Sequence, residues 1–488
     1  MDMFSREFRR RSSPKYFVVG LRFVLAIGGL TLMAGCAQFS PDGGMALVSE
    51  AAHRDLGKEV TALRTPEDAL SSRAVVDRLL ARTLTADAAV QIALLNNRGL
   101  QAAYNDLAVS EAVRIGESLP PNPTISLSRL ASSAEIEIER QIVADVLALA
   151  TLPARSEIAG ARFRQAQLRA VWETLRIAAD TRRAYYRAVA GRDLTGFLTQ
   201  AKEAAETTTR LAARLGETGA MNKLDQAREQ VFYADLTAQL ATNRQRATSD
   251  REVLIRMMGL WGEDLKLKLP NRLPSLPKRP EKLAGIEVEA IGRRVDLQIS
   301  RLEIEALGRL YGLTQASRFI NILDAGYQDK VTRDRATGER VKDRGFDVQF
   351  QIPIFDFGEV RVRDAEATYM GAVNRLLERA VNVRSEARDA YRNYRSAYDI
   401  ANHYNREILP LRKIISDESQ LRYNGMLIDV FALLAEARQR IVATTSAIEA
   451  GREFWLASVN LSTAVIGGGT STAEATQTAA NASGGGRE

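Results

Sequence analysis

Residues 346–358 have the sequence FDVQFQIPIFDFG, and this stretch decides the fold of the chain. Apolar side chains alternate here with polar ones: Phe346, Val348, Phe350, Ile352 and Ile354 are separated by Asp347, Gln349 and Gln351. Strict alternation predicts a β-strand with one apolar and one polar face. A strand of about ten residues can cross a bilayer when it is tilted. Proline has no N–H to donate to a neighbouring strand, so the strand is predicted to end at Pro353.

A very long helix is predicted directly after this strand. Residues 360–423 have helical character, and only Gly371 and Pro410 interrupt them. At about 1.5 Å per residue, such a helix is roughly 95 Å long. A strand that can cross a membrane, joined to a helix of that length, predicts a tube.

The net charge does not indicate nucleic-acid binding. The chain has 488 residues, a formal net charge of +7 and a pI near 9.4. Residues 1–35 contain six basic and two acidic residues, so the rest of the chain is nearly balanced. Arginine-rich helical segments elsewhere are interspersed with Asp and Glu, a pattern typical of solvated helix faces. No nucleic-acid partner is therefore expected.

The first 35 residues have the pattern of a lipoprotein signal peptide. A basic start precedes an apolar stretch, and the segment ends in Leu32-Met33-Ala34-Gly35-Cys36, which resembles a bacterial lipobox. Cys36 is the only cysteine, so we expect it to be lipidated and to begin the mature protein. By the same resemblance, Ala37 after the cysteine implies sorting to the outer membrane. No later segment is long and apolar enough for a transmembrane helix, so any membrane-spanning part is expected to consist of strands.

Two halves of the chain follow the same plan of a helix, a β-hairpin, a long helix and a further helix. The landmarks of the first half are a helix opened by Thr85, strands at Thr124–Leu130 and from Glu135 towards Pro153, a helix over 154–216, and a helix over 220–260 capped by Asn222 and Asp225. In the second half, Arg294–Gln298 matches Asn97–Gln101, Ile320–Tyr327 matches the first strand, and Gly425 matches Gly219. A repeat of this length indicates two copies of one supersecondary unit.

The predicted domain boundaries follow from this repeat. They are a signal peptide over 1–35, a tether over 36–83, the first repeat over 84–268, a proline-rich linker over 269–283, the second repeat over 284–466, and a disordered tail over 467–488. The charged segment Thr332–Gly345 is predicted to be a loop facing water.

Catalytic and metal-binding patterns are missing from the sequence. His53-Arg54-Asp55-Leu56 spells part of a kinase catalytic loop, but no glycine-rich loop or Asp-Phe-Gly motif accompanies it. The chain has only two histidines, one cysteine and no phosphate-binding loop motif. We therefore expect no enzymatic activity and no cofactor.

Several groups of residues, spread over both halves, follow one another in a characteristic order. They are Leu84-Thr85 with Asn96-Asn97 and Leu100, then Pro121-Asn122-Pro123, then Pro353–Gly358, and then Arg422-Tyr423-Asn424-Gly425 with Ala435. Together they resemble the TolC-type outer-membrane efflux proteins over about residues 84–466. The resemblance implies a mostly α-helical homotrimer with a small β part, in which four transmembrane strands per chain form a 12-stranded barrel. A long α-helical coiled-coil barrel continues it into the periplasm, as in a trimeric channel-tunnel.

Elementary physics agrees with a trimer, because four strands cannot close a barrel and open strand edges are not tolerated in lipid. The resemblance also implies partners: a periplasmic adaptor protein, an inner-membrane transporter and outer-membrane lipid. The expected function is a passive exit duct for small molecules. A type I secretion duct for proteins and a non-conducting structural lipoprotein that spans the envelope remain alternatives.

Two sets of site residues are predicted. Alternation places five acidic residues on the polar, pore-facing side of the strands: Glu135, Glu137, Glu139, Asp145 and Asp347. The resemblance implies a periplasmic tip, which closes the tunnel and meets the adaptor, at the helix turns that contain Gly219, Asp225, Gly425, Asp429 and Phe431. Gly425 is predicted to end a helix in the left-handed conformation.

The family places a gating carboxylate six residues after the glycine of the second turn, and Phe431 stands there in this chain. We therefore expect an apolar seal at the tip. The alternative is that Phe431 simply packs between helices.

Overall fold

The computed structural model describes residues 38–282 and 284–468, and these residues are mostly helical with one four-stranded sheet. Cys36, the predicted signal peptide and the predicted tail from residue 469 onward lie outside the described residues. The helices are α1 Ala46–Leu56, α2 Pro66–Leu80, α3 Ala86–Asn96, α4 Arg98–Ser118, α5 Val146–Glu217, α6 Lys223–Met258, α7 Ile286–Arg293, α8 Val295–Ala316, α9 Glu359–His403, α10 Leu409–Asn424 and α11 Val430–Ile466. The strands are β1 Thr124–Ala131, β2 Glu135–Asp145, β3 Ile322–Asp334 and β4 Arg340–Gln351.

The chain divides into two compact units. Of the described residues, the first contains 38–43, Glu111–Gly160 and Gly312–Val362, and it holds the sheet. The second contains the described residues within Gly44–Ser110, Ala161–Tyr311 and 363–468. The order of helix, hairpin, long helix and helix occurs twice along the chain, as the sequence predicts.

The sheet has the strand order β1-β2-β3-β4, and all neighbouring strands are antiparallel. The central pair joins the two repeats, since β2 pairs with β3 from Glu135 opposite Asp334 to Asp145 opposite Asp324. β1 and β4 are the two outer strands. Their outer backbone groups are available for pairing with another chain.

The region Thr332–Gly345 is not a loop. Most of it belongs to β3 and β4, and only Arg335–Glu339 connects the two strands. Asp334 stabilises this short turn, because its carboxylate accepts the backbone N–H groups of Ala336 and Thr337 at 2.7 and 2.8 Å. The sequence pattern fails here because both faces of the sheet carry charged residues near the turns, so no apolar period marks the strands.

Pro153 does not end a strand. β2 ends at Asp145, and α5 begins at once with Val146, so Pro153 lies inside the helix. Asp145 provides the cap, since its carboxylate accepts the backbone N–H of Ala148 at 2.7 Å. Val146 and Ala148 are apolar and happen to continue the alternation of β2. The sequence pattern therefore does not show that the helix begins at Val146.

The core of the second unit lies where α3 and α4 pack among the longer helices. Tyr104 is fully buried, and its hydroxyl is 3.0 Å from that of Thr174 on α5. Tyr185 donates to the carbonyl of Leu84 at 3.1 Å, and burial raises the pKa of its hydroxyl to about 12. Within residues 38–282 and 284–468, no helix is both long and apolar enough to cross a membrane.

The predicted tether over 36–83 is wrong for its described part. Residues Ala46–Leu56 and Pro66–Leu80 form helices, and Val48 and Val76 are buried in the main core. α2 begins with a capping box in which Thr65 and Asp68 bond each other's backbone N–H groups. These helices bury too few side chains each to show a clear apolar period in the sequence.

The predicted linker is held against the helices. Trp455 donates its indole N–H to the carbonyl of Pro274 at 3.1 Å, and Tyr398 donates its hydroxyl to the carbonyl of Pro277 at 3.1 Å. Leu269 is buried in the core. The segment is therefore a fixed strap across the second unit.

The predicted long helix after β4 is present as α9 and α10, with a π-helical turn at Tyr404–Ile408 between them. Pro410 follows this turn and has no N–H to donate. The backbone N–H of Leu409 bonds the carbonyl of Tyr404, five residues earlier. The wider turn thus accommodates the proline without ending the helical path.

Candidate functional site

The polar face of the sheet is strongly acidic. Residues directly opposite each other in neighbouring strands share a face of the sheet. The strand register therefore places further acids, on β3 and β4, on the same face as the acids predicted on β2 and β4. The acids on this face are Glu135, Glu137, Glu139, Asp145, Asp324, Asp334, Asp343 and Asp347, and Lys330 is the one base among the described residues of this face. Sequence analysis missed Asp324, Asp334 and Asp343 because β3 alternates weakly and β4 begins inside the region taken for a loop.

Side-chain contacts confirm which residues share this face. Glu137 forms a salt bridge with Lys330, and Glu139 accepts a hydrogen bond from Gln328. The carboxylate of Asp347 lies over Gly326, where an added Cβ would be 2.3 Å from an Asp347 oxygen. On the other face, the rings of Tyr327 and Phe346 are 5.3 Å apart between centroids. The predicted set thus lies on one face, although Asp145 also serves as a helix cap.

The turn between α5 and α6 is ended by a left-handed glycine. Gly219 has a φ of +75°, and the backbone N–H of Ala220 bonds the carbonyl of Leu215 at 2.8 Å. This six-to-one bond is the Schellman arrangement. Asn222 then caps α6 by accepting the backbone N–H of Asp225 at 2.9 Å, as predicted.

The turn between α10 and α11 repeats this geometry with its register shifted by one residue. Gly425 has a φ of −82° and is not left-handed, which corrects its predicted role. Met426 has a φ of +58°, and the backbone N–H of Leu427 bonds the carbonyl of Arg422 at 2.8 Å. Met426 is therefore the structural counterpart of Gly219, and Asp429 is the counterpart of the cap residue Asn222. The match of Gly425 with Gly219 in the sequence is therefore one residue out of register with the structure.

Exchanging the residues at the two left-handed positions is expected to have opposite effects. Gly219→Met should lower the free energy of unfolding by about 1 kcal/mol, because a side chain is unfavourable at positive φ even though no atom lies within 4 Å of the new Cβ. Met426→Gly should be neutral or slightly stabilising, because relief of that strain offsets the greater freedom of glycine in the unfolded chain. Thermal unfolding of the purified variants measures both. Equal destabilisation by the two changes would contradict the assignment.

The remaining predicted tip residues have distinct structural roles. Asp225 accepts a hydrogen bond from the side chain of Asn222 at 2.6 Å and pairs with Arg228 at 3.0 Å. Asp429 is exposed and caps α11 by accepting the backbone N–H of Ala432 at 2.8 Å. Phe431 is half-buried in the single chain.

A buried ion pair connects α6 to α11 near these turns. Glu229 is almost fully buried and forms a salt bridge with Arg438, whose guanidinium also lies 4.9 Å from the ring centroid of Phe232. A shallow groove of about 450 Å³ adjoins this pair. Sequence analysis missed the pair, because nothing in the spacing of either helix indicates a partner about two hundred residues away.

No group of three or more His, Cys, Asp or Glu residues is placed to hold a metal ion in residues 38–282 and 284–468. The acids of the sheet are spread along three strands, β2, β3 and β4. The geometry of the described residues offers a charged surface and two capped helix turns.

Comparison with known proteins identifies the fold. No family model matches the sequence, and no curated protein is similar to it in sequence. Solved structures do match. CusC is 15% identical with a TM-score of 0.64, covering 78% of this chain and 91% of CusC. The CmeC outer-membrane channel of Campylobacter jejuni is 14% identical with a TM-score of 0.62, covering 80% of this chain and 88% of CmeC.

The MtrE outer-membrane channel of Neisseria gonorrhoeae, described in its open state, gives a third match. It is 16% identical with a TM-score of 0.62, covering 78% of this chain and 88% of MtrE. These neighbours are channel proteins and not enzymes. At such low identity the match establishes the fold alone, and it confirms the fold that the sequence motifs indicate. The chain therefore has the fold of the TolC-type outer-membrane channel proteins.

Proposed function

We propose that this protein is the outer-membrane exit duct of an efflux system and passes small molecules passively. The observation that carries the proposal is a four-stranded sheet with one acidic face and an opposite face that is apolar in its part nearest the helices, in a fold shared with outer-membrane channels. An acidic face suits the wall of a water-filled pore, and an apolar face suits contact with lipid.

The sheet supports assembly as a homotrimer. Three copies of a four-stranded sheet would provide twelve strands, and pairing β1 of one copy with β4 of the next would leave no open edge. Lipidation of Cys36 would add an anchor in the outer membrane. Because the duct itself is passive, export through it against a gradient needs a separate source of energy. We therefore further propose an inner-membrane transporter that is joined to the duct through a periplasmic adaptor.

Current recordings in planar bilayers test whether the protein conducts ions and which ions it prefers. The acidic face should give the purified protein a cation preference, seen as a shift of the reversal potential across a salt gradient. Glu137→Gln together with Glu139→Gln should reduce that shift, because two charges are removed from the wall. Arg78→Gln together with Arg98→Gln is a matched control, since both side chains are exposed on helices and lie outside the sheet.

Three outcomes would contradict this proposal in different ways. Anion preference of the parent protein would overturn the placement of the acidic face in the pore. Absence of conductance from a correctly folded protein would favour the envelope-spanning structural lipoprotein. A monomeric mass in mild detergent would contradict the trimer.

We also propose that the turn containing Phe431 forms the seal of the resting duct. Met426 and Leu427 are 93% and 76% exposed, so the turn presents apolar side chains that symmetry-related copies could cover. The caps at Asn222 and Asp429 fix the direction in which α6 and α11 leave their turns. Both carboxylates predicted at the tip are engaged in capping or pairing within their own chain, which leaves apolar contact as the favoured seal.

Phe431→Ala should raise the resting conductance severalfold, because it removes the largest apolar side chain from this part of the turn. Leu224→Ala is a control on the equivalent position of the first turn, where the side chain is 61% exposed. Single-channel recording in planar bilayers measures both variants. Unchanged conductance from an intact Phe431→Ala trimer would show that Phe431 only packs between helices.

A further inference from the structure

The outward face of the sheet changes character along its length. Its apolar part lies nearest the helices, in three rows of directly opposed residues: Leu323 and Phe350; Ala144, Ala325 and Val348; and Ile125, Ile142, Tyr327 and Phe346. The third row contains the paired rings of Tyr327 and Phe346. Aromatic residues are typical of the level at which a membrane barrel meets the lipid head groups.

Basic residues begin in the very next row. The three rows nearest the hairpin turns are Leu127, Arg140, Asp329 and Arg344; Arg129, Ile138, Val331 and Lys342; and Ala131, Ile136, Arg333 and Arg340. We name the six basic residues the basic belt: Arg129, Arg140, Arg333, Arg340, Lys342 and Arg344. Asp329 is the one acid in these rows. The opposite face at the same height is acidic, so the sheet is polarised across its thickness.

The six side chains of the basic belt form no ion pair with the part of the chain that the structure describes. All six side chains are exposed. Asp329 lies between Arg140 and Arg344 in the register, yet one of its carboxylate oxygens has no hydrogen-bond partner among the described residues. Six exposed positive charges next to an apolar surface suit an anionic partner that also has an apolar part.

The geometry points to the phosphate groups of an anionic membrane lipid as that partner, and we propose that the basic belt binds them in the outer leaflet. This inference rests on the proposed function, which places the apolar rows in the bilayer and the hairpin turns outside. A lipid fits both parts of the face, because its acyl chains cover the apolar rows while its phosphates meet the belt. Five of the six residues are arginines, whose guanidinium groups bind phosphate through two parallel hydrogen bonds.

Closure of the proposed barrel would make the belt continuous. Arg129 lies on the outer strand β1, and Arg340, Lys342 and Arg344 lie on the outer strand β4. Where β1 of one copy meets β4 of the next, basic residues of both edges come together. We expect the strongest binding sites at these junctions between copies.

Lipid binding by the purified full-length protein tests the inference. Native mass spectrometry would compare binding of diphosphorylated lipid A, dephosphorylated lipid A and inorganic phosphate. We expect diphosphorylated lipid A to be retained about tenfold more strongly than the dephosphorylated form, since each basic residue near a membrane surface contributes measurably to anionic lipid binding. Inorganic phosphate should not be retained, because it lacks the acyl chains that cover the apolar rows.

Matched variants locate the binding surface. Arg340→Gln, Lys342→Gln and Arg344→Gln combined should lower retention of diphosphorylated lipid A about tenfold, whereas Arg78→Gln, Arg98→Gln and Lys278→Gln combined should leave it unchanged. Equal retention of both forms of lipid A by the parent protein, or unchanged retention by the belt variant, would overturn the inference. If the triple variant does not assemble, Arg344→Gln alone should still reduce retention.

Conductance separates this inference from the proposed function. In bilayers of phosphatidylcholine alone, the belt variant should conduct like the parent protein, because the belt lies on the face away from the pore. If the parent protein conducts but does not distinguish the two forms of lipid A, the lipid site is contradicted and the proposed duct is not. A parent protein that retains diphosphorylated lipid A without conducting would contradict the duct instead.

Discussion

Gly358→Ala is expected to prevent the accumulation of folded protein. Gly358 has a φ of +73°, and a Cβ at this position would lie 2.2 Å from the carbonyl oxygen of Arg318 and 2.9 Å from its carbonyl carbon. These are backbone atoms and cannot rotate away. The carbonyl of Arg318 also accepts a hydrogen bond from Arg361. The guanidinium of Arg318 forms a salt bridge with Glu359. We expect a loss of more than about 4 kcal/mol from overpacking and the left-handed backbone together.

Gly312→Ala is the matched control for this prediction. Gly312 lies in the helix α8, and nothing lies within 4 Å of an added Cβ, so alanine should be neutral or stabilising by up to about 1 kcal/mol. The amount of folded protein recovered after expression and its thermal unfolding measure both variants. Normal assembly of Gly358→Ala would show that the junction between β4 and α9 can shift its backbone.

Arg294→Leu should destabilise the second unit by about 3–5 kcal/mol, because it leaves a buried carboxylate without its partner. Arg294 and Asp296 are both about nine-tenths buried and form two hydrogen bonds, at 3.0 and 2.7 Å. Glu386 on α9 adds a third contact at 2.5 Å. Burial alone lowers the pKa of Arg294, but these two carboxylates outweigh it and raise that pKa above its usual value.

A double variant distinguishes the cost of the orphaned charge from the value of the pair. Arg294→Leu combined with Asp296→Leu should be less destabilised than Arg294→Leu alone, because no buried charge remains unpaired. Glu386→Gln should have a small effect, since that carboxylate is 41% exposed. Thermal or denaturant unfolding measures all three. A double variant that is less stable to unfolding than Arg294→Leu alone would indicate that the ion pair itself holds α8 against α9.

The parts of this fold that the sequence predicts are those with an apolar period or a local cap. The strand predicted from Phe346 to Pro353 corresponds to the second half of β4, which begins earlier, at Arg340, and ends at Gln351. The capped helix start at Asn222 occurs as predicted. The hairpin end of the sheet could not be predicted in the same way. Arg340, Lys342 and Arg344 alternate with Val341, Asp343 and Gly345, so polarity does not distinguish the two faces. Periodicity disappears where neither face of a strand is apolar.

The shared face of the five acids can be predicted from the sequence, whereas a role that depends on a distant residue cannot. The five acids share one face because the pleat alone determines it. The left-handed position at Met426 contradicts the preference for glycine, so the neighbouring Gly425 was assigned instead. The pair of Glu229 and Arg438 depends on the packing of two helices that no local pattern connects.

The central pairing of β2 with β3 has a consequence for how the chain folds after synthesis. Each hairpin closes through a short turn, whereas Ile142 and its partner Tyr327 are about 185 residues apart in sequence. Contacts between distant residues form slowly, because a long loop must close first. The first hairpin must therefore wait with an unpaired edge until the second repeat has been synthesised. During that interval the nascent chain has a strand open to aggregation, and a holding chaperone that covers β2 would raise its folding yield.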